Sequence, residues 1–214
     1  MKKRKKWKPY LVCVLTVLLM MEISIRVQAE GTPENLYARS AVLMDADTGR
    51  ILFGKNDNEV MPMASTTKIM TLLVTLEHAD LDEIVEVSAR AASMPDVQLN
   101  IRMGETYYLK DLLYSMMLES HNDSAVAIAE HIGGSVEAFA EMMNQKAAEI
   151  GCKNTCFITP NGLDAQVSIQ NAEGKNTTHI HSTTAKDLAS IMSYCIKKIA
   201  KKRRFSGNHK NTLV

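Results

Sequence analysis

Apolar residues form short continuous runs in one segment of this chain and recur about every 3.6 residues in several others. Two short apolar runs, 41–44 and 50–53, flank the turn residues 45–49, and this arrangement predicts a β-hairpin. The helical period predicts five helices, which begin near Ser65, Leu109, Ser124, Ser135 and Thr184. The first of these is apolar on nearly every side over residues 69–76, so we expect it to be buried.

The segments between these helices carry weaker signals. Residues 80–102 predict short strands and loops, and residues 152–180 predict a loop that turns at 160–162. Thr184 and Asp187 have the spacing of a capping box at the start of the last helix. The chain is long enough for one domain with a core, and we expect its methionines to fill that core.

The first 29 residues have the pattern of an export signal. A basic stretch precedes the apolar run 11–21, which is too short to span a bilayer comfortably, and Ala29 ends a stretch typical of a cleavage site. An uncleaved membrane anchor is the alternative, but Glu22 and Arg26 interrupt the segment and argue against it. We therefore expect the mature protein outside the cytoplasmic membrane, extracellular or periplasmic, with no further membrane contact evident.

Removal of the signal changes the charge of the chain. The signal holds seven of the 25 basic residues and one of the 24 acidic residues, so the rest carries a net charge of −5. Nothing here favours a nucleic-acid partner, which needs a basic face. The last 18 residues, 197–214, contain seven basic residues and no acidic one. We expect them to form a solvated basic tail that is not native to the domain.

The cysteine and histidine residues do not indicate a metal or cofactor site. Cys152, Cys156 and Cys195 remain after the signal, an odd number that does not suggest a disulfide framework. A bridge between Cys152 and Cys156 is one alternative, and free buried thiols are our expectation. His179 and His181 are the only close histidine pair, and no ligand set accompanies them at metal-binding spacing.

Ser65 and Lys68 carry the strongest chemical signal. On a helix, residues three apart share a face, so the lysine amine can reach the serine hydroxyl. A serine becomes a nucleophile when an adjacent base takes its proton, and a lysine in a dry site can be that base. The alternative interpretation is a helix start, with Ser65 as its N-cap and Lys68 solvated. The buried helix behind the pair favours the catalytic interpretation.

Ser120 and Asn122 form a second candidate pair at a predicted helix end. A hydroxyl there can relay a proton, and an amide there can bind both Lys68 and a substrate carbonyl. Ser206 and Asn208 have the same spacing. We prefer the first pair because it follows a well-formed amphipathic helix.

With these motifs, the chain resembles the exported serine D-alanyl-D-alanine carboxypeptidases, which are low-molecular-mass penicillin-binding proteins. The matching stretches occur in the family's order: PMASTTKIMT (62–71), LKDLLYSMMLESHNDSAVAIAEHIGGS (109–135), FAEMMNQKAAEIG (139–151), TCFITPNGLDA (155–165) and HSTTAKDLA (181–189). The resemblance implies an α/β (α+β) fold of the β-lactamase/transpeptidase type, in which an antiparallel sheet packs with helices beside an all-helical subdomain. Residues 30–196 would be the N-terminal part of this domain.

The resemblance also implies roles for individual residues. Ser65 would attack the penultimate D-Ala of a peptidoglycan stem peptide, its backbone N–H would stabilise the oxyanion, and Lys68 would be its base. Ser120 would relay protons to the leaving D-Ala, and Asn122 would hold the substrate amide. β-Lactams would inhibit covalently. Gly162 and His181 match positions near structural loops, and we expect no chemistry from either.

One motif of the family is missing. The 214 residues contain no K-T-G triplet, which in the family binds the substrate carboxylate on a later strand. We therefore expect an incomplete sheet, a reading frame broken near Lys197, and little or no hydrolysis of D-Ala-D-Ala peptides by these 214 residues. Two alternatives remain: a class A β-lactamase, for which we find no convincing deacylating glutamate, and a non-catalytic remnant that binds the cell wall.

Overall fold

The computed structural model describes residues 36–170, 174 and 176–208. The chain divides into residues 1–37 and 38–214, and the description below concerns the second unit. The predicted export signal and the last six residues of the predicted basic tail lie outside the described residues.

The described residues form six helices and six short strands. In chain order these are β1 (Ala41–Met44), β2 (Ile51–Lys55), a 3₁₀ turn (Ala64–Thr67), α1 (Lys68–His78), β3 (Ile84–Glu86), α2 (Ala89–Ala92), β4 (Thr106–Tyr108), α3 (Leu109–Leu118), α4 (Asn122–Gly133), α5 (Val136–Ile150), β5 (Gln166–Gln170), β6 (Asn176–Ile180) and α6 (Ala185–Asn208). Within this part of the chain the strands pair as three separate antiparallel sheets, β1–β2, β3–β4 and β5–β6. The predicted α+β class is confirmed.

The predicted β-hairpin is present as β1 and β2. Leu43 lies opposite Phe53, and a bulge follows at Met44. The turn closes because Asp45 accepts hydrogen bonds from the backbone N–H of Thr48 (2.7 Å, to Oδ1) and of Gly49 (2.8 Å, to the carbonyl oxygen).

The core lies on both sides of α1, as expected for a helix that is apolar almost all round. One apolar cluster joins Val85 and Leu109 to α4 through Ile128. The other joins α1 to α5 and α6, where Met70, Phe139 and Ile191 are almost fully buried. This burial fixes the start of α1 within the fold, and with it the turn that precedes the helix.

The predicted starts and stops of the helices are largely confirmed. Ser135 caps α5 by accepting a hydrogen bond from Ala138 N at 3.1 Å, and Gly134 and Gly151 end α4 and α5 in the left-handed conformation. The capping box at α6 is only half formed. Thr184 Oγ1 accepts from Asp187 N at 3.1 Å, but the Asp187 carboxylate instead accepts from Asn154 N at 2.8 Å.

The prediction of a continuous loop over residues 152–180 is wrong, because this segment contains the β5–β6 hairpin. Every residue of β6 is exposed, and Val167 and Ile169 are the only apolar residues of β5. A hairpin that buries so little apolar surface needs few apolar residues, so its sequence is difficult to distinguish from that of a loop.

The predicted basic tail is helical as far as Asn208, since α6 continues through it. Lys and Arg are good helix formers and are favourable near a helix C-terminus. Lys198 Nζ lies 2.9 Å from the Glu77 carboxylate, which fixes this part of α6 against the end of α1. Within the described part of the chain, no helix combines the length and the apolar character needed to cross a membrane.

The three described cysteines are free, and no disulfide joins Cys152 to Cys156. Only Cys195 is buried, while Cys152 and Cys156 are half-buried. Among the described residues there is no group of three or more His, Cys, Asp or Glu side chains that could hold a metal ion.

Candidate active site

Ser65 and Lys68 meet at the 3₁₀ turn that leads into α1. In a 3₁₀ turn residues i and i+3 eclipse each other, which brings the lysine amine to the serine hydroxyl. The Lys68 Nζ to Ser65 Oγ distance is 3.3 Å. Ser65 is exposed, whereas Lys68 is only 2% exposed. The predicted contact is therefore confirmed, and the alternative of a solvated lysine is wrong.

Lys68 is surrounded by neutral acceptors. Its Nζ donates to Asn122 Oδ1 at 2.9 Å and to the backbone carbonyl of Asn161 at 2.8 Å, in addition to the contact with Ser65. Burial lowers the pKa of Lys68 from 10.5 to about 8. A neutral lysine has two N–H groups and one lone pair. With the two N–H groups on Asn122 and Asn161, the lone pair is left facing the Ser65 hydroxyl.

Asn122, the first residue of α4, is held at both ends of its side-chain amide. Its Nδ2 donates to the carbonyls of Pro95 (3.3 Å) and Asp96 (3.1 Å), and its backbone N–H donates to Val97 at 2.7 Å. This network directs Oδ1 toward Lys68. The contact between Asn122 and Lys68 that the sequence predicted is present.

Ser120 lies in the turn between α3 and α4, with a left-handed backbone at φ 63°. It is half-buried, and its hydroxyl makes no hydrogen bond with any described residue. The structure therefore joins Asn122 to Lys68, which in turn contacts Ser65. It shows no contact of the Ser120 hydroxyl with any of these three described residues. The other pair with this spacing, Ser206 and Asn208, lies at the end of α6.

The segment 157–162 forms a wall of the site that sequence reasoning did not find. The carbonyl of Pro160 accepts from Thr71 Oγ1 at 2.6 Å, one helical turn beyond the contact of Asn161 with Lys68. Asn161 contributes a backbone carbonyl, which any residue possesses and no motif reveals. The predicted turn at 160–162 indicated that the chain folds back here, but neither it nor the family match over 155–165 predicted the contact with Lys68.

Gly162 is packed against the turn that carries Ser65. Its φ is +89°, and a Cβ placed on it would lie 1.9 Å from the carbonyl oxygen of Ala64 and 3.0 Å from Ser65 N. No side chain fits at this position unless the backbone on one side moves. The glycine therefore allows the 157–162 wall to approach the turn closely enough for Asn161 to bind Lys68.

We expect Gly162→Ala to lower the free energy of unfolding by about 3 kcal/mol, since it adds a severe clash to the cost of a left-handed alanine. Gly104→Ala is the matched control, because Gly104 has φ +82° and no atom within 4 Å of its added Cβ. Chemical denaturation of both variants checks this. Equal losses in the two variants would show that the contact with Ala64 is unimportant.

His181 joins the same wall to the 3₁₀ turn that carries Ser65. It is 1% exposed, and its Nε2 lies 2.8 Å from Thr67 Oγ1. Its Nδ1 accepts from the backbone N–H groups of Ile158 (2.9 Å) and Thr159 (3.3 Å). Burial lowers the pKa of His181 to about 4, so the ring is neutral at physiological pH.

Comparison with known proteins matches this chain to one family. The model of the D-alanyl-D-alanine carboxypeptidase family matches residues 26–214. The D-alanyl-D-alanine carboxypeptidase DacF of Bacillus subtilis is 39% identical over 181 residues, which cover 82% of this chain and 43% of DacF.

Solved structures agree with this match. Penicillin-binding protein 5 of Haemophilus influenzae superposes with a TM-score of 0.68 at 30% identity, over 79% of this chain and 48% of that one. Penicillin-binding protein D2 of Listeria monocytogenes, solved in a cefotaxime-bound form, gives a TM-score of 0.61 at 29% identity, over 77% of this chain and 64% of that one. The chain spans about half the length of the curated relatives it matches.

Proposed function

The chain belongs to the D-alanyl-D-alanine carboxypeptidase family, and from this membership we propose that it is a penicillin-sensitive serine hydrolase that removes the terminal D-Ala from peptidoglycan stem peptides. The proposal includes export to the cell wall, where these peptides occur. It requires no metal or cofactor, since the attacking group and its base are both side chains of this chain.

The observation that carries the proposal is the environment of Lys68. The amine is buried, and none of its described hydrogen-bond partners is a carboxylate that could neutralise its charge. It also lies against the hydroxyl of an exposed serine, Ser65. Burial lowers the pKa of Lys68 to about 8, so a useful fraction of the amine is neutral near physiological pH. A neutral amine that faces a hydroxyl is the arrangement that activates a serine nucleophile.

In the proposed reaction, Ser65 Oγ attacks the carbonyl carbon of the penultimate D-Ala as its proton passes to Lys68 Nζ. The peptide bond breaks, the leaving D-Ala takes a proton by way of Ser120, and an ester joins the rest of the peptide to Ser65. A water molecule then hydrolyses the ester and restores the hydroxyl. A β-lactam would acylate Ser65 in the same way, with its ring amide as the bond that breaks.

Two groups would assist this reaction. Ser65 lies in the first turn of a helical segment, where backbone N–H groups have no partner within the helix, which supports its N–H as an oxyanion donor. Asn122 would orient Lys68 and bind the amide of the peptide. Because Nδ2 of Asn122 already donates to Pro95 and Asp96, substrate binding through it would require one of these contacts to open.

The pH dependence of acylation follows from Lys68. Only the neutral amine can take the Ser65 proton, so the acylation rate should rise with pH, reach half its maximum near pH 8 and level off above it. The rate of labelling by a fluorescent penicillin, measured between pH 6 and pH 10 at constant ionic strength, checks this. A midpoint near the ordinary lysine value of 10.5 would contradict the proposed role of burial.

Release of D-Ala tests the proposed activity itself. The purified protein is given a synthetic tripeptide that ends in D-Ala-D-Ala and, as a control, the same peptide ending in L-Ala-L-Ala. DacF of Bacillus subtilis, a D-alanyl-D-alanine carboxypeptidase, serves as the positive control. We expect release from the first peptide only, at a low rate, because these 214 residues hold no K-T-G triplet. Equal release from both peptides would refute the substrate assignment.

A further inference from the structure

We propose that His181 is a positioning residue for acylation, which clamps the 157–162 wall to the turn carrying Ser65 and Lys68 and so holds the Asn161 carbonyl on the Lys68 amine. This inference rests on the proposed function for its catalytic meaning. The clamp itself can be tested on Lys68 without turnover.

The two nitrogens of His181 contact the two structures that must meet. Nε2 lies 2.8 Å from the hydroxyl of Thr67, the residue directly before Lys68. Nδ1 accepts from the backbone of Ile158 at 2.9 Å, three residues before the Asn161 carbonyl. One rigid ring therefore fixes the distance between the 3₁₀ turn and the wall. A second hydrogen bond connects α1 to the wall, from Thr71 Oγ1 to the Pro160 carbonyl, one helical turn beyond Lys68.

The contacts define a single tautomer. Because Nδ1 accepts from backbone N–H groups, the ring proton must lie on Nε2, which then donates to Thr67 Oγ1. A doubly protonated ring would have no acceptor for Ile158. Burial favours the neutral ring and lowers its pKa, and the charge of Asp164 opposes this only in part. The edge of Phe157 and the His181 N–H to Ala165 hydrogen bond at 2.9 Å keep the ring in place.

The clamp acts on Lys68 through burial. Lys68 has its low pKa because water is excluded, and the 160–162 turn supplies part of the surface that excludes it. If the wall loosens, water reaches the amine, and the pKa of Lys68 moves up toward the ordinary lysine value. The amine is then protonated over more of the neutral range, and acylation slows.

Two substitutions each remove half of the clamp. His181→Gln can place an amide N–H near the position of Nε2 and keep Thr67, while it loses the acceptor for Ile158. His181→Asn can place an oxygen near the position of Nδ1 and keep Ile158, while it loses Thr67. Thr67→Val removes the same contact as His181→Asn from the other end. His179→Gln is the matched control, because His179 is exposed on β6 two residues away.

The decisive measurement is the pH titration of the Lys68 side chain by NMR in lysine-labelled protein, with the signal assigned by its loss in Lys68→Arg. We expect the midpoint to rise in His181→Gln and in His181→Asn, and to stay unchanged in His179→Gln. Acylation at pH 7 should fall about tenfold in both His181 variants. The double variant Thr67→Val, His181→Asn should slow acylation no more than the slower of the two single variants, because both substitutions remove the same contact.

The outcomes separate the two claims. If the wild-type protein is never acylated, the proposed function fails, and the titration still decides whether His181 controls Lys68. If the Lys68 midpoint is the same in wild type and in both His181 variants, the positioning role is refuted. A role limited to stability would lower the melting temperature and leave the midpoint in place. If His181→Asn does not fold, Thr67→Val removes the same contact and should raise the Lys68 midpoint in its place. If His181→Gln does not fold, His181→Asn and Thr67→Val still test the contact with Thr67.

Discussion

Replacing Ser65 by alanine is expected to abolish covalent labelling by penicillin. The acyl group has no other attachment point in this mechanism, because the ester forms on Ser65 Oγ and Lys68 acts only as the base. The fold should be unaffected, since the Ser65 side chain is exposed and its only hydrogen bond with a described residue is the 3.3 Å contact with Lys68. Gel fluorescence after incubation with a fluorescent penicillin measures the loss.

Ser168→Ala is the control for this experiment. Ser168 is an exposed serine on β5 whose hydroxyl lies 3.2 Å from Thr178 Oγ1, away from the Lys68 network. Its loss should leave labelling at the wild-type level, with the same melting temperature. Persistent labelling of Ser65→Ala would place the nucleophile on another residue and overturn the site described here.

Replacing Lys68 has the second largest expected effect. Lys68→Ala should slow acylation by about 10³-fold, which is the usual scale for removing a general base. Lys68→Arg should be as slow, since arginine keeps the positive charge but cannot give up its proton in a protein. A stopped-flow or time-course measurement of penicillin acylation gives both rates.

The arginine variant distinguishes a base from a fixed charge. If Lys68 acted by attracting the substrate carboxylate, Lys68→Arg would retain most of the rate, and the base assignment would be wrong. Lys110→Ala is the matched lysine control, because the Lys110 side chain is 43% exposed and pairs with Asp82 at 2.6 Å. It should acylate as fast as wild type.

The parts of the fold that could be predicted are those in which the local pattern and the tertiary structure agree. The β1–β2 hairpin could be predicted because typical turn residues separate its two apolar runs. Helix α5 could be predicted because it has a serine cap, an apolar face and a glycine at its end. Ser65 and Lys68 could be found because their chemistry depends on two side chains three residues apart. That geometry is local, and it follows from helical spacing alone.

The remainder of the site depends on contacts between distant residues. Asn161 acts through its backbone carbonyl and reaches Lys68 across 93 positions of sequence, while His181 reaches Thr67 across 114. Neither contact has a local periodicity. Gly162 was predicted as a turn residue and as a family match near a structural loop, whereas its close approach to Ala64 depends on how two segments pack. The family resemblance pointed to Gly162 and His181 as matching positions but implied no chemical role for either residue.

The proposal that Ser65 is an acylated nucleophile is tested most directly by mass spectrometry of the protein after incubation with benzylpenicillin. We predict a mass increase of one benzylpenicillin molecule per chain, with the adduct on the peptide that contains Ser65 after proteolysis. The adduct should be absent in protein unfolded beforehand, because Lys68 is a base only when it is buried. An unmodified native protein, or an adduct mapped to any other residue, would contradict the mechanism.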